Sequence, residues 1–221
     1  MLLRWTLLLL ILFTFTAKAS DDLLHFSLGA SASSGSTDGS VNSLERNFDD
    51  NLKYSLYFSF EHFIPLVPNV KVRYNMNDNE SDSHDIELHN ASLYLYYELL
   101  HNDLLELDLG VGYRYYTGLL DEIDTVLNEH ISNGAFVGYS HVVFYIPQTA
   151  LFAYGDITLT ADSSDYINDL EIGLGYRFDL PIFDVDLTTG FRSHTFDVKD
   201  FGRVSADLDE KFIVIGAEIH F

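Results

Sequence analysis

The stretch Leu105-Glu106-Leu107-Asp108-Leu109-Gly110-Val111-Gly112-Tyr113-Arg114-Tyr115 alternates strictly. Leu105, Leu107, Leu109, Val111, Tyr113 and Tyr115 fall on one face; Glu106, Asp108, Gly110, Gly112 and Arg114 fall on the other. A period of two over this length marks a β-strand with two unlike faces. The split recurs downstream. Leu170, Ile172, Leu174, Tyr176 and Phe178 oppose Glu171, Gly173, Gly175, Arg177 and Asp179. Phe183, Val185, Leu187 and Phe191 oppose Asp184, Asp186, Gly190 and Arg192, and Ile213, Ile215, Ala217, Ile219 and Phe221 oppose Val214, Gly216, Glu218 and His220.

About ten such segments are expected, near residues 23–33, 53–64, 68–77, 86–99, 103–117, 131–146, 149–161, 168–179, 183–196 and 211–221. The one from Asn133 to Ile146 carries Val, Tyr and Phe on both faces, which predicts a bulge that switches faces midway. Short connections at Pro65-Leu66-Val67, His101-Asn102-Asp103, Pro147-Gln148 and Leu180-Pro181-Ile182 alternate with long polar ones. The long ones run roughly over 32–52, 77–85, 118–130, 162–167 and 197–210, and residues 119–127 suit a short amphipathic helix across the mouth. Transmembrane barrels have this asymmetry, with tight periplasmic turns and longer outer loops. The expected fold is all-β: a closed antiparallel up-and-down transmembrane β-barrel of about ten strands, rather than eight or twelve.

A soluble barrel would show the same alternation inside out. Glycines argue against it, because Gly29, Gly110, Gly112, Gly173, Gly175, Gly190 and Gly216 all sit on polar faces. Glycine weakens a water-facing strand without return, but inside a narrow barrel it makes room for bulky neighbours. Aromatics also gather toward segment ends (Tyr54, Tyr113, Tyr115, Phe178, Phe183, Phe191, Phe221), as interfacial girdles require.

The first residues read as an address. Arg4 precedes an apolar run from Trp5 to Thr16, and Ala17-Lys18-Ala19 gives the small-x-small pattern of a cleavage site before Ser20. That run falls short of the roughly 20 residues a spanning helix needs. Residues 1–19 are therefore expected to be a signal peptide and 20–221 a single barrel domain. Without Lys18 and Arg4, ten basic residues face 34 acidic ones, about −24 in charge. Such acidity repels nucleic acid, and the absence of Cys excludes disulfides and a lipidated cysteine.

The ending Gly216-Ala217-Glu218-Ile219-His220-Phe221 resembles the C-terminal assembly signal of bacterial outer-membrane barrels. The resemblance implies that Gly216, Ile219 and Phe221 are read by the barrel-insertion machinery. The chain from residue 20 onward resembles the uncharacterised small outer-membrane β-barrel proteins of Gram-negative bacteria, which implies integral residence in the outer membrane after export through the periplasm.

A barrel of this size has little free lumen. A regular hairpin over Leu180 to Ile182 places Arg177 opposite Asp186 and Glu171 opposite Arg192, and one over Pro65 to Val67 places Glu61 opposite Lys71. Ion pairs there would satisfy charge across the lumen. His25, His220 and Glu218 could bind a metal, a grouping that reads better as polar mouth lining. Ser193 and His194 point to opposite faces of a strand, which defeats a Ser–His pair. Asp82-Ser83-His84-Asp85 resembles the rim carboxylates of the omptin proteases, yet the chain is shorter and lacks their paired acidic sites. No catalytic residue, cofactor or metal site is therefore assigned. Acidic outer loops, with Asp78, Glu80, Asp121, Glu122, Asp207, Asp209 and Glu210, suit a solvated surface and offer divalent cations a bridge to lipopolysaccharide phosphates. The expected function is a structural or surface-interaction role with a largely plugged, charged lumen. The alternatives are a narrow channel for small solutes or cations, and a barrel enzyme acting on lipid or peptide.

Overall fold

A computed structural model describes residues 24–41, 44–48, 52–81, 84–122, 127–160, 166–201 and 204–221. The expected cleavage residues Ala17, Ala19 and Ser20 lie outside them. The described chain forms β1 (Leu24–Val41), β2 (Leu44–Phe48), β3 (Lys53–His62), β4 (Asn69–Met76), β5 (Asp78–Ser81) and β6 (His84–His101). It continues through β7 (Leu105–Glu122), β8 (Leu127–Tyr145), β9 (Leu151–Thr160), β10 (Tyr166–Asp179), β11 (Asp184–Phe201) and β12 (Val204–His220). Ten antiparallel staves follow the order β12-β11-β10-β9-β8-β7-β6-β4-β3-β1, and pairing of β12 with β1 closes the wall. β2 pairs with β1 beyond the reach of β3, and β5 pairs with β6 beyond β4, so each lengthens a stave instead of adding one. At the seam Phe26 and Phe221 exchange both backbone hydrogen bonds (3.2 and 2.9 Å). Closure is what hydrocarbon demands, since a free strand edge would leave its N–H and C=O groups unsatisfied.

Local chemistry sets the short turns. In Ile64-Pro65-Leu66-Val67 and Ile146-Pro147-Gln148-Thr149 the fourth N–H donates to the first carbonyl (3.4 and 3.2 Å). Proline presets the second position, and the third is left-handed, with φ of 68° at Leu66 and 65° at Gln148. These are type II turns. At the third turn the Asn102 side-chain oxygen accepts from the N–H groups of Leu104 and Leu105 (3.0 and 3.1 Å).

The outward face of every stave carries an apolar belt. Leu24, Phe26 and Leu28 on β1 continue into Ile213, Ile215 and Phe221 on its neighbour, and Ile213 and Ile215 are each 66% exposed. Such side chains are unfavourable in water but suit lipid, and a belt of roughly 9–11 residues per strand spans a bilayer. Exposed Tyr54, Tyr74, Tyr113 and Tyr115 lie toward its outer margin, with Tyr97, Phe144, Phe178 and Phe221 toward the short-turn margin. The chain is an integral β-barrel of the outer-membrane type, and its short turns mark the periplasmic end.

Three expectations need correcting. The long outer loops are largely strand: β1, β6, β7, β11 and β12 run well past the apolar segments. Above the belt the alternation keeps its phase while polarity inverts. Ser205, Asp207, Asp209 and Lys211 of β12 face out and are exposed, whereas Ala206, Leu208 and Phe212 face in and are buried. Beyond the bilayer the outside meets water, so the apolar side chains belong inside. Second, residues 119–122 continue β7 and Leu127 opens β8, in place of the expected helix; 123–126 lie outside the described residues. Third, β7 and β8 pair without a break from Leu105↔Phe144 to Glu122↔Leu127, so no bulge switches the faces of 133–146. Both faces are apolar there because Val137, Tyr139 and Val143 are packed inside.

Candidate functional site

Polar side chains from all ten staves converge in the lumen. At the short-turn end it is a cavity of about 600 Å³ whose rim includes Asn102, Asp103, Pro147 and Gln148. Ten Asp and Glu residues line it against three Lys and Arg. Rings fill space that glycines leave. A Cβ on Gly175 would stand 2.1 Å from Phe152 Cζ, and one on Gly29 would stand 2.0 Å from Tyr57 Cζ. The glycine-rich polar faces therefore receive aromatic rings lying flat on bare backbone.

Arg177 holds Asp186 bidentately (2.8 and 2.7 Å) and also donates to the Tyr145 hydroxyl (3.2 Å). The two residues are register partners across the β10–β11 hairpin. Glu171 also lies opposite Arg192, but the two side chains take other partners. Glu171 accepts from Tyr154 (2.8 Å), while Arg192 reaches Asp169 with two bonds of 2.7 Å. Glu61 and Lys71 are not register partners: Lys71 faces Ser59. The turn is centred one residue earlier than expected, which moves each facing pair by two. Lys71 meets the Tyr139 hydroxyl (3.0 Å) and Asp156 (3.7 Å), and Glu61 accepts from Tyr96 (2.8 Å).

Sequence reasoning missed the partners that cross the lumen. Arg114 is fully buried and donates to Ser92 (2.9 Å), Tyr94 (2.8 Å) and Asp169 (3.0 Å). It ties β7 to β10, two staves lie between them, and Asp169 is held between two guanidinium groups. Asp156 collects Lys71, Arg73 (3.6 Å) and His141 (3.2 Å). Alternation does place Arg114 inside, but partners on non-adjacent strands leave no mark in one sequence.

Farther out, Glu210 meets Lys53 (2.5 Å) and His194 Nδ1 (2.6 Å). It is a lumen residue and not part of an acidic loop. Its strand neighbours Asp209 and Lys211 face water, which puts it above the belt. Burial alone would raise its carboxyl, but the Lys53 charge and the His194 hydrogen bond outweigh that and lower it to about 2. Beyond this tier, Leu88, Tyr116, Ala135, Ile167, Phe196, Val198, Ala206 and Leu208 pack together across the interior.

The remaining candidates are dispersed. His220 Nε2 meets Asp186 (3.0 Å), whereas Glu218 accepts from Ser27 (2.5 Å) and Tyr57 (2.9 Å), and His25 is the register partner of Glu61. Among the described residues no group of three His, Cys, Asp or Glu is placed to hold a metal ion. Ser193 faces out and His194 faces in, bound to Glu210. Gly216 turns inward against Thr188, while Phe221 is exposed on the outer surface.

No family model and no curated protein matches the sequence. Solved outer-membrane barrels do resemble the structure. Neisserial surface protein A aligns at 16% identity over 89% of this chain and 97% of its own, with a TM-score of 0.44. Ail, the attachment invasion locus protein of Yersinia pestis, solved with the heparin analogue sucrose octasulfate, aligns at 13% identity over 90% and 99%, with a TM-score of 0.42. The outer membrane protease OmpT from Escherichia coli aligns at 10% identity over 94% and 99%, with a TM-score of 0.47. Likenesses at this level carry no residue role across; the chemistry of this lumen rests on its own geometry.

Proposed function

We propose that this protein is a non-conducting, non-enzymatic barrel of the bacterial outer membrane, with a structural or surface-interaction role. The observation that carries the reading is the apolar cluster in the outer lumen. Tyr116, Ile167, Phe196 and Val198 are each at most 1% exposed. Below them Arg114, Arg192 and Asp169 tie three staves together, and opening a path would separate buried ions at a cost of several kcal/mol. The acid-rich vestibule favours the second reading, a narrow cation channel. A cation passing beyond it would then meet Arg114 and Arg192, which repel it. Planar-bilayer recording of the pure protein tests the choice: a silent bilayer is expected, and stepwise currents would overturn the reading. Incubation with lipopolysaccharide and peptides tests the non-enzymatic part, and turnover would overturn it.

Lipid and lipopolysaccharide are the proposed partners of the outer wall. Asp38 lies opposite Asp209, and Asp197 opposite Asp207, on three adjacent staves just above the belt. Like charges placed so repel, and divalent cations shared with lipopolysaccharide phosphates would relieve them. Signal cleavage before Ser20, and recognition of Gly216, Ile219 and Phe221 by the insertion machinery, complete the proposed route. The mass of the membrane-extracted protein reads that cleavage directly.

A further inference from the structure

Within the short-turn vestibule, Asp108 stands apart from the other buried carboxylates, Asp156 and Asp186. Glu61, Glu106, Glu171 and Glu218 each accept a tyrosine hydroxyl at 2.8–2.9 Å, and Asp156 and Asp186 each have cations beside them. Asp108 is only 9% exposed and lines the cavity, yet among the described residues it makes no hydrogen bond and no ion pair. Its register partner His141 is turned to Asp156 (3.2 Å), and its own oxygens open onto the cavity, so water or a ligand must supply their donors. Arg73 Nε, on the same cavity wall, also lacks a partner there.

The surroundings narrow the chemistry of what could fill this space. Ten acidic side chains against three Lys and Arg and four His disfavour an anion. A bare divalent ion needs several oxygens converging on one point, and no three candidate ligands converge among the described residues. The carboxylates are instead spread around the wall with aromatic rings between them: Tyr57, Tyr96, Tyr139, Tyr145, Phe152 and Tyr154. The protein's own cations already use this combination. Lys71 Nζ sits 5.1 Å from the Tyr57 ring centre and 5.4 Å from that of Tyr139, and Arg177 sits 5.4 Å from that of Tyr145. Separated anions with ring faces between them suit a chain of ammonium groups joined by methylenes, because each ammonium finds a carboxylate while the methylenes lie on the rings. The cavity volume falls in the usual range for small-molecule sites, about 300–1,000 Å³.

We propose that the vestibule binds a linear aliphatic diamine or polyamine entering from the periplasmic face, with Asp108 as its anchoring carboxylate. The proposal goes beyond the closed-barrel reading and does not depend on it, since the site is reached from the short-turn end whether or not the outer lumen conducts.

Calorimetric titration of the refolded full chain with spermidine, in zwitterionic detergent at neutral pH, tests it. Saturable binding of one equivalent is expected, undiminished by magnesium at matched ionic strength. Asp108→Asn should weaken it about tenfold or more, since a hydrogen bond to a charged group is lost. Glu61→Gln should weaken it less, and the water-facing Asp209→Asn should leave it unchanged. Retained heat-modifiable mobility shows that each variant has folded, and removing an unpartnered buried charge gives Asp108→Asn no reason to misfold. Absence of saturation, equal displacement by magnesium, or unaltered affinity in Asp108→Asn would each overturn the proposal.

Discussion

A carboxylate sealed in a barrel lumen away from water needs donors beside it, and Glu210 has Lys53 and His194. Its lowered pKa carries a defined pH dependence. The folded value of about 2 lies below the ordinary value of 4.5, so the protonated form is favoured in the unfolded chain. The stability from this group is fully present above about pH 4.5 and is lost as pH falls toward about 2. Denaturant titrations of the refolded barrel across that window should show a loss that Glu210→Gln largely removes. The same substitution should lower stability at neutral pH by about 3–5 kcal/mol, because it leaves the Lys53 ammonium buried without its anion. An unchanged pH profile in the variant would mean that Glu210 is not the group responsible.

At the scale of strands, the acidic residues above the belt matter as neighbours and not as a total. Asp38, Asp209, Asp207 and Asp197 stand on β1, β12 and β11. Chelation of divalent cations should therefore lower the unfolding temperature in lipopolysaccharide-containing bilayers by a few degrees, and should have little effect in phosphatidylcholine alone. Equal shifts in both would argue against the bridge. These strands also show where the sequence stops being legible. The belt could be read because lipid demands an unbroken apolar face, so β7, β10, β11 and β12 announce themselves. The outer half of β1, Ser33-Ser34-Gly35-Ser36-Thr37-Asp38-Gly39-Ser40, carries no apolar face and reads as loop, although it pairs residue by residue with β12. Backbone pairing holds it there, and backbone pairing has no composition. Hairpin register was legible where the turn was centred as expected, at Leu180 to Ile182, and failed by one residue at Pro65. Contacts such as Arg114 with Asp169 cross the lumen, and no local rule reaches them.

At the scale of the whole molecule the barrel divides along its axis: lipid-facing apolar belt around a charged interior, then water-facing polar wall around an apolar interior. In the proposed closed barrel the periplasmic end is open and the outer end is filled. The chain has no cysteine of its own, so single cysteines placed along β12 can report each environment separately. The most direct measurement is labelling of Asp209→Cys, Leu208→Cys, Ile215→Cys and His220→Cys in oriented proteoliposomes with a membrane-impermeant maleimide. Asp209→Cys should react from the outer side and His220→Cys from the periplasmic side, while Leu208→Cys and Ile215→Cys stay unlabelled from both. Rapid labelling of Leu208→Cys from the outer side would mean that water fills the outer lumen, and the closed-barrel account would be wrong.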